Sequence, residues 1–262
     1  MTAAATGAVH VKARAKLTRR LRVTGVRADG MHLIDAEMVS LSLADDLELT
    51  PGGEGLQVID RTPGSSGLAV RAEPTNLVIR ALDLVGRRAA VRLTKRIPAG
   101  AGLGGGSSDA AAVLRWAGVE PDRAGLARAA ALGADVPFCL VGGRARVAGI
   151  GEEVEPLAPR ALEFTLLLPP FGVSTPAVYR AWDALGGPTG PAGNDLEPAA
   201  VAVEPRLAPW RDRLAGAAGA EARLAGSGST WFVEGSHPGL EGPMADPDGG
   251  PPAWVLTARA EY

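Results

Sequence analysis

The chain has 262 residues, enough for one large or two small domains. It is 46% hydrophobic and 21% charged with a net charge of −2, so it has no basic excess of the kind that binds nucleic acid. Its single cysteine, Cys139, excludes an internal disulfide framework, and no apolar run is long enough to span a membrane. The first residues lack the apolar core of a signal peptide. We therefore expect a cytoplasmic protein without nucleic-acid or membrane partners; the sequence does not indicate an oligomeric state.

The first half of the chain alternates strand and helix patterns. Apolar alternation predicts strands through the first 50 residues, with a turn at ADG. Short strands are expected at LQVIDRT and GLAVRAE, then a helix over 75–86 that begins at a capping Thr. The strand AAVRLTKRI, a glycine-rich loop and a helix follow, then a second helix at DRAGLARAAAL. Strand-like GRARVAGIG and EEVEPL end this half.

The second half begins with a buried-strand pattern, LEFTLLLPP. Helices are expected after the turn FGVSTP and in the run that starts at NDLEPAA. A strand–turn–strand follows at EARLAGSGSTWFVEG, and a last strand at WVLTARAEY. The pattern predicts an α+β fold with two lobes, residues 1–156 and 157–262, with the active site between them.

The loop KRIPAGAGLGGGSSD, residues 95–109, is the strongest functional signal. Glycine allows close approach of the main chain to a ligand, and a glycine loop that opens a helix directs free N–H groups and the positive end of the helix dipole at one point. This is typical of a phosphate site. A flexible turn is the alternative, although a plain linker rarely ends in Ser-Ser-Asp at a helix start.

Two common nucleotide motifs fit this loop poorly. G-x-G-x-x-G is matched by Gly100, Gly102 and Gly105, but KRIP separates the glycines from the preceding strand, and no acidic residue about twenty positions on lies at a predicted strand end. The P-loop pattern fails because Gly-Lys-Ser/Thr is absent. The loop therefore predicts a phosphate site that is neither a Rossmann dinucleotide site nor a P-loop.

Several polar residues could complete a phosphoryl-transfer site, and each has a structural alternative. Asp135 could accept a hydroxyl proton or cap backbone N–H groups in a turn. Lys16 could be a solvated edge-strand lysine. His32 could stabilise a turn, Cys139 is expected in the core, and the Gly-Ser run 226–229 could be a hairpin turn.

Lys and Asn are rare in this chain. Only Lys12, Lys16 and Lys95 are lysines among 27 basic residues, and only Asn76 and Asn194 are asparagines. A chain that otherwise uses Arg keeps a Lys where a compact point charge is needed. This bias favours functional or geometric roles for the retained residues.

The chain resembles the GHMP family of small-molecule kinases. The segments RVTGVRADGMHLID, KRIPAGAGLGGGSSDAAAVL, LGADVPF, FGVSTPAVYRAW, NDLEPAA and RLAGSGSTWFV follow in the family's order. They are similar to the branch that uses ATP to phosphorylate the 2-hydroxyl of a cytidyl diphosphate sugar alcohol in isoprenoid precursor synthesis. The resemblance implies the two-lobed GHMP kinase fold, with residues 1–156 as the ATP-binding domain and 157–262 as the substrate domain. It also implies ATP and Mg²⁺ as cofactors and that small molecule as substrate.

The resemblance also implies residue roles. Lys16 would lie beside the substrate hydroxyl, and Asp135 would accept its proton. The loop would hold the ATP phosphates, with Ser107 and Ser108 near the β-phosphate and Ser108 as a magnesium ligand, while Asn76 and Lys95 would line the adenosine pocket. The cofactor-binding set is Asn76, Lys95, Pro98, Gly100, Gly102, Leu103, Gly104, Gly105, Gly106, Ser107, Ser108 and Asp109.

For the substrate, His32 would bond the cytosine edge, Tyr179 would stack on the base, and Gly226, Ser227 and Gly228 would lie near the transferred phosphate. Thr18 and Met31 belong to the same expected substrate-binding set, but there the sequence departs from the branch pattern, which usually has an Asn at the first position and a Tyr at the second. Two alternatives therefore stay open: a kinase of the same fold for a different small alcohol, and an inactive nucleotide-binding homologue.

Overall fold

Two long antiparallel strands organise the sheet of this computed structural model, which describes residues 7–64, 68–246 and 248–262. They are β1 (Val9–Val26) and β2 (His32–Pro51), and they pair from Val9 opposite Leu49 to Val26 opposite His32. Their apolar residues alternate into the core, and three register shifts bend β1. The tight turn between them contains Gly30 at φ 84°, a conformation that suits glycine.

The other strands join this hairpin in one mixed sheet. Its central path among the described residues runs β3–β4–β2–β11–β7–β9–β8, while β1 and β5 also pair with β2, β6 with β5, and β10 with β11. Only the β3–β4 pairing is parallel among the strand pairs described. The remaining strands are β3 (Leu56–Asp60), β4 (Ala89–Lys95), β5 (Arg144–Gly149), β6 (Glu153–Pro156), β7 (Glu163–Leu168), β8 (Arg223–Leu224), β9 (Trp231–Glu234), β10 (Gly242–Met244) and β11 (Ala253–Glu261).

Helices cover the sheet, and α2 has more buried residues than any other described helix, because it packs against α1, α4 and β1. Its alanine-rich sequence permits this close approach. The helices are α1 (Leu77–Val85), α2 (Gly105–Trp116), α3 (Arg123–Ala130), α4 (Val136–Val141), α5 (Thr175–Ala184), α6 (Glu197–Val203) and α7 (Leu207–Ala218). Among the described ranges, no helix has the length and apolar character required to cross a membrane.

The hydrophobic core runs through both halves of the sequence. One cluster joins Leu17 and Leu41 with Phe164, Leu166 and Phe232, and a larger one likewise contains residues from both sides of 156. The two-lobe division at residues 156 and 157 stays a prediction.

One predicted strand and one predicted helix cap are wrong. The stretch expected as a strand at 67–73 has no strand over 68–73, and residue 67 lies outside the described residues. Helix α1 is capped by Asn76 rather than Thr75, because the Asn76 carboxamide oxygen accepts a hydrogen bond from the backbone N–H of Val78 at 2.9 Å.

Candidate active site

A cavity of about 920 Å³ collects most of the predicted site residues. Its walls come from β1, the glycine loop, the start of α2, the N-terminal end of α4, α5 and the segment after β8. Every residue predicted for catalysis, ATP or substrate lines it except Ser108 and Gly228. Their individual roles stay predictions, but one space can hold a ligand in contact with these groups.

Lys16 and Asp135 meet in this cavity. Lys16 lies on β1 with only 5% of its surface exposed, so it is not a solvated edge-strand lysine. Its Nζ lies 3.4 Å from Asp135 Oδ2 and donates to Thr18 Oγ1 at 3.2 Å. Asp135 precedes α4, yet its side chain makes no capping hydrogen bond. The carboxylate therefore does not cap the turn, and it faces the Lys16 ammonium instead.

The glycine loop lies directly against this pair. The backbone N–H of Lys16 donates to Leu103 O at 3.0 Å, which ties β1 to the loop. Gly104 is the N-cap of α2 in a left-handed conformation (φ 66°), and a Cβ there would lie 2.7 Å from Lys16 Cγ. The N-terminus of α2, a 12-residue helix, opens into the cavity beside the lysine and the carboxylate.

Lys95 is buried below the loop between two carboxylates. It is 3% exposed, its Nζ donates to Asp109 Oδ2 at 2.7 Å, and it also pairs with Asp45. Asp45 in turn accepts from the backbone N–H groups of Arg96 and Ile97, at the start of the loop. These contacts connect β2, the end of β4 and the first turns of α2, so they hold both ends of the loop.

Burial and the neighbouring charges together shift the pKa values of Asp109 and Lys95. Burial raises the pKa of Asp109 to about 7, more than Lys95 lowers it. Burial alone would lower the pKa of Lys95, but the attraction of Asp109 and Asp45 outweighs it and raises that pKa. Asp109 Oδ1 is buried with no hydrogen-bond partner among the described residues.

The two loop serines differ. Ser108 is buried, and its hydroxyl donates to Arg14 O at 2.6 Å and lies 3.4 Å from Cys139 Sγ, away from the cavity. Ser107 lines the cavity, and no hydrogen bond of its hydroxyl is found in the described structure. Ser107 is therefore better placed than Ser108 for a phosphate or a phosphate-bound cation. Cys139 is buried as expected, which raises its pKa to about 12.

Asn76 uses its side chain for local structure. Besides capping α1, its Nδ2 donates to Arg71 O at 2.9 Å. It lines the cavity, but both of its polar side-chain atoms are already hydrogen-bonded.

An aromatic group forms the other end of the cavity. His32, at the start of β2, lies 4.6 Å from the Tyr179 ring between centroids and 5.6 Å from Trp182 in an edge arrangement. Burial raises the pKa of Tyr179 to about 12. Met31 lines the same region and is 43% exposed. The site thus offers aromatic rings and one flexible apolar side chain to a flat ligand.

The Gly-Ser run 226–229 connects β8 and β9, so it is a hairpin connection that also borders the cavity. Asn194 fixes it by donating to Leu224 O at 2.9 Å and Gly226 O at 2.7 Å. The Thr175 and Ser227 hydroxyls are hydrogen-bonded at 2.7 Å, which joins α5 to this run. Gly228 does not line the cavity, and a Cβ at this position would lie 3.2 Å from Leu224 Cδ1.

Sequence reasoning did not identify Asp45, Thr175, Asp183 or Asn194 as site residues. Asp183 had a usable signal, because it follows Tyr179 by four positions on the helix α5 and therefore lies on the same face. Asp45 had none, since its partners are 50 and more residues away.

Comparisons with known proteins identify the family of the chain. Residues 76–143 match the family model described as GHMP kinases N terminal domain. A 4-diphosphocytidyl-2-C-methyl-D-erythritol kinase of Paracoccus denitrificans is 41% identical over 83% of this chain and 84% of its own length. One of Pelotomaculum thermopropionicum is 42% identical over 84% and 86%.

Solved structures agree as well. A crystal structure of 4-(cytidine 5'-diphospho)-2C-methyl-D-erythritol kinase is 32% identical, with a TM-score of 0.69 over 97% of this chain and all of that one. These findings confirm the predicted fold and kinase activity. The chain belongs to the GHMP kinase family, among its 4-diphosphocytidyl-2-C-methyl-D-erythritol kinases, and is an ATP-dependent phosphotransferase.

Proposed function

We propose that the chain transfers the γ-phosphoryl group of ATP to the 2-hydroxyl of 4-diphosphocytidyl-2-C-methyl-D-erythritol, with Asp135 and Lys16 at the reacting atoms. The observation that carries this assignment is the pair itself. The buried Lys16 ammonium lies 3.4 Å from the Asp135 carboxylate, which makes no helix-capping hydrogen bond, and the pair lies beside a glycine loop that opens a helix. The relatives named for this substrate support the choice of alcohol.

In the proposed reaction, Asp135 accepts the proton of the 2-hydroxyl as the oxygen of that hydroxyl attacks the γ-phosphorus. The bond from that phosphorus to the β–γ bridging oxygen breaks, and ADP leaves with the electron pair. Lys16 holds the attacking oxygen and offsets the charge on the transferring group. Phosphoryl transfer asks mainly for positioning and charge neutralisation, which this arrangement of loop, helix terminus and lysine supplies.

Mg²⁺ fits this site as an ion carried on the ATP phosphates. No cluster of three or more acidic, His or Cys side chains that could hold a metal occurs in the part of the chain that is described, and Ser108 is bonded elsewhere. Magnesium needs few protein ligands when phosphates bind it, and Ser107 Oγ and the unpaired Asp109 Oδ1 are oxygens that could meet it. When bound, the ion would neutralise phosphate charge.

At the far end of the cavity, we propose that His32 and Tyr179 bind the cytosine. Their rings lie together and line the cavity that also holds Lys16. We place the reaction in the cytoplasm, where ATP is supplied and where a free cysteine such as Cys139 is ordinary.

A coupled ADP-release assay tests the proposal. Purified protein receives ATP, Mg²⁺ and either the cytidyl substrate or a panel of small alcohols, and mass spectrometry identifies the product. Turnover with the cytidyl substrate alone is expected. Turnover only with another alcohol would assign a different substrate, and ATP binding without turnover on any alcohol would identify an inactive homologue.

A further inference from the structure

Helix α5 holds the His32 ring with three of its residues. Tyr179 and Trp182 contact the ring, and the carboxylate of Asp183 lies 2.8 Å from His32 Nε2. Spacings of three and four place these residues on one face of the helix. The side chain of His32 is only 10% exposed, and both His32 and Asp183 line the cavity. The ring is therefore fixed in position and in rotation.

The partner of Nε2 determines what the other ring nitrogen can do. A carboxylate accepts hydrogen bonds and has no proton to give, so Nε2 must carry the proton in this pair. In a neutral imidazole, Nδ1 is then an acceptor. Among the described residues, Nδ1 has no hydrogen-bond partner, so it is the ring nitrogen left for a ligand.

We propose that Asp183 is a positioning residue that sets base selection through His32. By holding the proton on Nε2 it leaves Nδ1 as an acceptor, which matches an exocyclic amino group such as that of cytosine. The carbonyl oxygen that uracil carries at the same position would face this acceptor without a proton between them. The inference rests on the proposed function, because it concerns the base of that substrate.

A purely structural role is the competing explanation, in which the His32–Asp183 contact only ties β2 to α5. The two explanations differ in their readouts. A structural tie changes thermal stability and affects both bases alike. A tautomer-setting contact changes the protonation site of His32 and the preference between two bases.

The experiment compares the wild type with Asp183→Asn, Asp183→Ala and the control Asp212→Asn, an exposed carboxylate on α7 that pairs with its neighbour Arg211. Steady-state kinetics give kcat and KM for the cytidyl substrate and its uridyl analogue. Two-bond ¹H–¹⁵N spectra report the tautomer of His32; the chain has only two other histidines, His10 and His237, which act as internal references.

The wild-type spectrum should show the proton on Nε2. Asp183→Ala should shift His32 away from that single tautomer, raise KM for the cytidyl substrate and leave kcat nearly unchanged. The cytidyl-over-uridyl preference in kcat/KM should fall about tenfold, the loss expected when one buried hydrogen bond is no longer matched. The Asp183→Asn carboxamide can accept or donate a hydrogen bond, so the base preference of this variant should lie between those of the wild type and Asp183→Ala. Asp212→Asn should match the wild type.

Three results would overturn the inference. A wild-type His32 with its proton on Nδ1 rejects it whether or not the variants fold. If the wild type is active and both Asp183 variants keep its His32 tautomer and its base preference, the His32–Asp183 contact has only a structural role, and the proposed function stands. A wild type that does not use the cytidyl substrate ends the proposed function, and this inference with it.

Discussion

Lys16 and Lys95 are both buried, but their partners give them different tasks. Lys95 is enclosed by Asp45 and Asp109, which leaves it little to offer a ligand beyond holding the loop in place. Lys16 has one carboxylate, at 3.4 Å, and faces the cavity. Lys12 on the same strand is exposed. The scarcity of lysine in the sequence thus pointed to two positions where a point charge is needed, although it could not tell a ligand contact from an internal ion pair.

Asp135→Asn tests the base. The carboxamide keeps the size of the side chain but cannot accept the hydroxyl proton, so kcat should fall by at least about 10²-fold, with KM for ATP little changed. Steady-state kinetics provide the measurement, and Asp46→Asn, an exposed carboxylate paired with Arg96, is the control. Turnover close to that of the wild type would remove Asp135 from the mechanism.

Lys16→Arg tests the need for a compact charge. The guanidinium is broader than the ammonium, and Lys16 is enclosed by Thr18, Asp135 and Gly104, so we expect most activity to be lost while the protein stays folded. Lys12→Arg, on the exposed part of the same strand, should keep full activity. Equal activity of the two variants, with unchanged circular dichroism, would show that the site does not require a compact charge at Lys16.

Asp109 gives the stability of the protein a specific pH dependence. Its folded pKa of about 7 lies above the ordinary 3.8 of an Asp, so between these values the folded state holds a proton that the unfolded state has lost. Stability from this group is therefore present at low pH and is lost as pH rises toward 7.

Urea unfolding of the wild type and of Asp109→Asn at pH 5 and pH 8 measures this pH-dependent contribution to stability. From pH 5 to pH 8, the free energy of unfolding of the wild type, relative to that of the variant, should fall by at least about 1 kcal/mol, the equivalent of roughly one pKa unit. A difference that stays constant between the two pH values would show that Asp109 is ionised throughout.

At the scale of elements, the glycine loop and α2 could be predicted because their signals are local: a run of glycines, then a helix-forming run. The use of each glycine could not be predicted. Gly102 (φ 76°) is required by a contact with residues more than 120 positions away, since a Cβ there would lie 2.4 Å from Ala225 O and 2.6 Å from Gly228 O. Long-range packing of this kind leaves no local pattern in the sequence.

Gly102→Ala should therefore disturb the loop more than its small size suggests. The methyl group meets backbone oxygens that cannot move aside easily, and the left-handed conformation adds strain. ATP affinity, measured by calorimetry, should fall about tenfold or more, since 1.4 kcal/mol is already tenfold. Gly216→Ala, in α7 with open space around it, is the control and should leave affinity unchanged. Equal affinities would show that the loop adapts.

At the scale of the molecule, the strand class of most segments was predictable, but their order in the sheet was not. The last strand, β11, lies in the middle of the sheet path, between β2 and β7, and joins the two halves through pairs such as Ala260 with Leu41. Alternation of apolar and polar residues shows that a segment is a strand, but it does not show which other strand it pairs with. The predicted boundary at 156 followed a change of pattern along the chain, while the core clusters extend across it.

This shared core predicts that the halves unfold together. Leu17, fully buried on β1, packs in the cluster that also contains Phe164 and Phe232. Leu17→Ala should cost about 2–5 kcal/mol and lower the melting temperature by roughly 5–15 °C. The exposed Leu84 (41%) offers the matched control Leu84→Ala, which should shift it little.

Tryptophan fluorescence makes the test specific to the distant half, because four of the five tryptophans lie beyond residue 156 and only Trp116 lies before it. A change at Leu17 should move the fluorescence midpoint as far as the circular dichroism midpoint, since one cooperative transition has a single midpoint for every probe. If the fluorescence midpoint stayed at its wild-type value while the circular dichroism transition split, residues 157–262 would be an independently folding domain, and the ion pair of Lys16 and Asp135 could be lost while the substrate lobe remained folded.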